Sequence, residues 1–112
     1  MATAFVLDRA SILERLGGDE DIYSMMVDMY LQDVDNNCTA IASAYASGDS
    51  QTLQREAHTI KGLLATFSDE DGAAEAMLVE KQARNGEIDG LGDAVAGLQQ
   101  RLREVATVLS AR

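Results

Sequence analysis

Residues 54–67, Gln-Arg-Glu-Ala-His-Thr-Ile-Lys-Gly-Leu-Leu-Ala-Thr-Phe, carry the only histidine of the chain. With Leu53 just before them, Ala57, Ile60, Leu64 and Phe67 recur at steps of four and three, which draws one apolar stripe down a helix and turns it toward a core. His58 lies one residue off that stripe. A single step rotates a side chain by about 100° around the axis, so His58 shares a flanking strip with Gln54, Lys61, Gly62 and Ala65. Glycine inside a helix costs about 1 kcal/mol relative to alanine, and nothing around Gly62 asks for a kink or a cap. One turn beyond the histidine, it clears space where another molecule would approach the imidazole. Lys61 adds a mobile ammonium suited to an anion. Imidazole, cation and cleared space describe a site that handles phosphoryl groups.

Size and composition set the frame. A chain of 112 residues makes one domain, spanning 1–112, with a single core. There are 9 glycines and no prolines, so helices run long and glycine punctuates them. Hydrophobic residues make up 46% and aromatic residues only 4%, which suits aliphatic packing between helices and an all-α fold. No apolar run reaches the length of a membrane span or of a signal peptide's hydrophobic part, which leads to the expectation of a soluble, cytoplasmic protein. Cys38 stands alone, so an internal disulfide is excluded and the thiol reads as a small buried or boundary side chain on a helix. A net charge of −10 repels nucleic acid and anionic membranes, leaving proteins as the expected partners. Residues 1–50 hold nine acidic and two basic side chains, residues 51–112 ten and seven. The histidine lies in the less negative half.

Taken in order, residues 8–16 read as a short helix with Ile12, Leu13 and Leu16 inward, closed by Gly17-Gly18. The acids Asp19, Glu20 and Asp21 suit the positive end of the next helix. That helix runs from Ile22 to about Ala46 on a stripe of Tyr23, Met26, Val27, Tyr30, Val34, Cys38, Ile41 and Tyr45. Gly48 ends it, and Asp49 caps the histidine helix. Ser68 to Gly72 reads as a solvated polar turn; Asp69 and Asp71 there lack the further oxygen ligands of a calcium loop. A helix from about Asp71 to Asn85 follows, closed by Gly86. The last begins at Ile88 or Leu91 and ends at Leu109, with Val95, Leu98, Leu102 and Val105 on its stripe. Short connections imply antiparallel neighbours, hence an up-down-up-down four-helix bundle with a short extra N-terminal helix.

The hairpin across residues 68–72 yields a pairing. With the turn centred on Asp69, residues 58 and 80 are each eleven positions away, so Glu80 faces His58. By the same measure Gly62 matches Ala76 in height, and Arg84 lies one turn below Glu80, near Gln54. A carboxylate there would keep the proton on Nδ1 and leave Nε2 its lone pair, as a histidine nucleophile needs.

Ala57-His58-Thr59-Ile60-Lys61-Gly62 resembles the A-H-x-L-K-G signature of histidine-containing phosphotransfer domains, and the likeness extends over nearly the whole chain. The resemblance implies that His58 accepts a phosphoryl group from an aspartate of one receiver domain and passes it to another. It implies a Glu or Gln at the place of Glu80, bonded to the imidazole. Lys61 matches the family lysine, and Arg84 either resembles a basic residue that some members hold near the phosphoryl group or forms an i,i+4 pair with Glu80 on a solvated helix face. Gly62 and Gln54 fall on the docking face. One departure stands out: where the family commonly has Gly after the end of the histidine helix, this chain has Ser68.

The partners so implied are receiver domains of response regulators and hybrid sensor kinases, met by a monomer. No metal or other cofactor is expected on this chain, since the Mg²⁺ ion belongs to the receiver. No G-x-x-x-x-G-K-[ST] loop is present, so neither an ATP site nor autokinase activity is expected. The rival reading is a non-catalytic helical interaction module in which His58 is merely solvated. A third makes the chain a fragment of a hybrid kinase, against which the initial Met and the complete helix set favour a free-standing protein.

Overall fold

The structure, a computed structural model, describes residues 3–111; Met1, Ala2 and Arg112 of the expected 1–112 domain lie outside the described residues. Five helices are formed, and no strand occurs among the described residues: α1 Arg9–Arg15, α2 Glu20–Ser47, α3 Ser50–Thr66, α4 Glu70–Arg84 and α5 Gly92–Ser110. Helices α2 to α5 pack in the cyclic order α2, α3, α4, α5, and α1 leans on α2. This is the expected bundle. At about 1.5 Å per residue, the 28 residues of α2 reach the whole 43 Å length of the molecule.

Aspartates start four of the five helices. Asp8, Asp19, Asp49 and Asp69 each accept from backbone N–H groups of the first turn they precede, which satisfies donors that have no partner within the helix. The extra donors that Thr52 gives Asp49 hold that carboxyl below its usual range. Asp19 thereby starts α2 at Glu20, two residues before the apolar pattern begins. At the other end Gly48 takes φ 72°, the left-handed conformation that closes a helix at low cost in glycine.

The core follows the stripes. Val27, Ile41, Leu53, Ala57, Ile60, Leu64, Leu98, Leu102, Val105 and Leu109 are fully buried, and Tyr30 and Phe67 meet edge to face with centroids 5.5 Å apart. Tyr30 also donates its hydroxyl to the Leu102 carbonyl at 2.8 Å, and its burial pushes the phenol's pKa well up. Met26 and Tyr45, expected on the α2 stripe, are only half-buried. Cys38 is buried and its thiol pushed up by desolvation, as suits an inert packing residue.

The turn before α4 departs from expectation. Asp69 is buried rather than solvated, because Arg101 of α5 reaches it with two hydrogen bonds, Nε to Oδ2 at 2.7 Å and Nη2 to Oδ1 at 2.6 Å. Bidentate pairing satisfies a carboxylate that would otherwise be costly to bury. The capping interaction then starts α4 at Glu70, not Asp71. Gly72 is obligatory beside this cap: a methyl group built on it would run into Asp69 Oδ2 and lie 2.9 Å from Leu64 Cδ1. Arg101 Nη1 continues to the Thr3 carbonyl, and Glu104 accepts from the Phe5 N–H at 2.7 Å, so the N-terminal segment is fastened to the same end of the bundle.

Candidate functional site

The close hairpin of α3 and α4 builds the site. Small side chains on the buried side of the two helices, Ala57, Ala76 and Ala83, let them approach, and the cap at Asp69 sets their register. Glu80 thereby comes level with His58. Its Oε2 lies 2.9 Å from His58 Nδ1, its Oε1 accepts from Lys61 Nζ at 2.8 Å, and Arg84 Nη2 donates to Oε2 at 3.3 Å.

Exposure separates the partners. The Glu80 side chain is 7% exposed and that of His58 66%, so the imidazole is anchored at one nitrogen and open to solvent over most of its surface. Chiefly the Lys61 hydrogen bond, then that of His58, holds the Glu80 carboxyl below its usual range against the opposing effect of burial. An ionised carboxylate only accepts, so Nδ1 must carry the hydrogen in this contact and Nε2 keeps the lone pair. The arrangement presents an oriented nitrogen nucleophile whose positive charge, once a bond forms at Nε2, would be met by a carboxylate already in place.

Each expected site residue has a definite position. Glu80 joins His58, Lys61 and Arg84 in one cluster. Lys61 Nζ rests on Glu80. Gln54 lines an open depression of ≈ 580 Å³ together with Gln51, Arg55, His58 and Glu80. Gly62 is exposed, and a Cβ added to it would meet nothing within 4 Å, so helix packing does not demand the glycine. Arg55 and Gln51 were not singled out from the sequence. The signal was available, because 55 is one turn before 58 on the same face.

At the far end of α3, Ser68 adopts φ 63°, the conformation that glycine takes without steric penalty. Arg15 holds the turn by donating to Ser68 Oγ at 2.9 Å and to the Thr66 carbonyl at 3.0 Å. On α2, Met25 and Met29 are more than half exposed and Ile22 is partly so, and Met29 lines a depression with Leu63 and Thr66 of α3. Among the described residues no helix is long and apolar enough to cross a membrane, and no group of three or more metal-ligating side chains is assembled.

No curated protein matches the chain. Two solved structures share its architecture. Histidine-containing phosphotransfer protein B from Pseudomonas aeruginosa PAO1 is similar at a TM-score of 0.84 and 22% identity, covering 97% of this chain and 95% of that one. The HPT domain of a sensor hybrid histidine kinase from Shewanella is similar at a TM-score of 0.80 and 15% identity, covering 94% and 91%. At these identities the likeness speaks for the fold. The Hpt domain family model matches residues 25–108, three quarters of the sequence, and so the chain belongs to the Hpt domain family, whose work is histidine phosphotransfer in phosphorelays.

Proposed function

We propose that His58 is the phosphoacceptor, that Nε2 is the reacting atom, and that the donor and final acceptor are aspartates of two different receiver domains. The observation that carries this reading is the asymmetry of the imidazole: Nδ1 engaged at 2.9 Å by a buried carboxylate, the rest of the ring exposed. In the forward step the Nε2 lone pair attacks phosphorus, the acyl P–O bond breaks, and the aspartate leaves as a carboxylate with the bonding pair. The proton on Nδ1 stays in place. Glu80 faces the resulting imidazolium, so the intermediate is neutralised without reorganisation. The return step reverses these bonds on the second receiver.

Such a transfer asks chiefly for positioning and charge stabilisation. The Mg²⁺ ion and the acidic pocket belong to the receiver, and this chain acts as a carrier that neither binds ATP nor phosphorylates itself. A cytoplasmic monomer fits the role. Lys61 steadies Glu80, and the open side of Gly62 gives the receiver its approach, with the exposed Met29, which shares a depression with Leu63 and Thr66, as an apolar contact one turn on. The test is incubation with receiver domains charged by acetyl phosphate. Wild type should acquire an acid-labile label and His58→Gln none. A folded wild type that takes no label would leave the helical interaction module as the reading.

A further inference from the structure

We infer that Arg55 is a phosphoryl-binding residue: its guanidinium receives the oxygens of the phosphoryl group carried on His58 Nε2. The inference rests on the assignment of His58 as phosphoacceptor and concerns the cation that completes that site. With Nδ1 held on Glu80, Nε2 is the nitrogen left to face away from α4. Side chains of a helix lean toward its N-terminus, so the imidazole leans over the turn that holds Gln54 and Arg55. The depression beside the ring is lined by these residues, together with Gln51 and Glu80. Its ≈ 580 Å³ accommodates a phosphoryl group with room for an entering side chain.

The neighbouring cations are already engaged. Lys61 and Arg84 both donate to Glu80, and neither lines the depression. Among the described residues the Arg55 guanidinium makes no hydrogen bond or ion pair. Its charge is felt by Asp49, whose own oxygens are occupied by the backbone and hydroxyl of Thr52. An exposed planar fork with unused donors, one turn from the nucleophile, suits two phosphoryl oxygens. In a chain of net charge −10, an incoming dianion needs such a local cation.

The test uses the whole chain and potassium phosphoramidate as donor, whose P–N bond breaks with release of ammonia as the Nε2–P bond forms. Wild type, Arg55→Ala, Arg55→Lys and His58→Gln are compared for labelling rate, and the ³¹P resonance of the phosphohistidine is titrated against pH. Arg55→Ala should melt with wild type, label roughly tenfold more slowly, and show a ³¹P midpoint moved upward, because loss of a neighbouring cation favours the protonated phosphoryl group. Arg55→Lys should fall between the two. If Arg55→Ala matches wild type in rate and midpoint, the inference is overturned while His58 stands. Slower transfer from a receiver with an unmoved midpoint overturns it too, since the arginine would then touch the receiver instead. If wild type takes no label at all, His58 falls and Arg55 with it.

Discussion

On the proposed assignment of His58, Glu80 selects the reacting nitrogen, because a carboxylate held ionised in a nearly buried place accepts only from Nδ1–H. Its removal should let the ring exchange between tautomers. We expect Glu80→Ala to lose the single Nδ1–H signature in ¹⁵N spectra of the sole histidine and to accept phosphoryl groups roughly tenfold more slowly. Glu80→Gln should do less harm, since an amide oxygen still accepts. Identical tautomers in wild type and Glu80→Ala would refute this role. Gly62 offers the opposite kind of test. Its Cβ position is open, so Gly62→Gln should match or raise stability, with a gain below about 1 kcal/mol, yet slow transfer from a receiver by bulk in its path. Equal transfer rates would remove the functional reason for the glycine. Glu80 was legible from the sequence because a hairpin relates residues at equal distances from its turn. Arg55 was less legible, because the strip that joins His58 to Gln54, Lys61 and Gly62 passes one residue to its side and nothing in the spacing alone assigns it to the ring.

At the scale of elements, the α3–α4 junction fixes the register on which the site depends. Two glycine-related predictions separate space from backbone conformation there. Gly72→Ala should destabilise by about 1–3 kcal/mol, because the added methyl group meets Leu64 and a carboxylate that Arg101 holds still. Ser68→Gly should stabilise by about 1 kcal/mol through relief of the left-handed conformation, less what Arg15 loses at Ser68 Oγ. Urea unfolding of both variants checks the pair, and the same sign for both would contradict the geometry. The sequence exposed the departure at Ser68 but not the burial of Asp69. Periodicity reports which face of a helix is apolar; it is blind to a charged residue on that face whose partner lies in another element. Arg101 does sit in such a place, three residues after Leu98 and four before Val105.

Across the whole molecule, one charged residue ties three segments of the chain together at one end of the bundle. Arg101 joins α5 to the start of α4 and to the N-terminal segment, so Arg101→Ala, which leaves Asp69 buried without its cation, should cost about 3–5 kcal/mol. Thermal unfolding that moved by only a degree or two would show the pair to be dispensable. Glu80 shapes the acid limb of stability. Its folded-state pKa lies below the usual value, so its stabilisation is fully present above the unfolded carboxyl's pKa and is lost as pH falls through the folded one. Glu80→Gln should flatten the stability profile in that acidic window and leave the neutral region nearly parallel to wild type. The long α2, the short connections and the aliphatic stripes made the architecture readable from sequence, because each helix carries its own periodic signal and a cap beside it.

The central claim concerns one bond. Protein carrying ¹⁵N in its histidine, phosphorylated by a charged receiver domain, should show ³¹P–¹⁵N coupling to His58 Nε2, with Nδ1 still protonated. Coupling to Nδ1, or label on any other residue, would contradict the account.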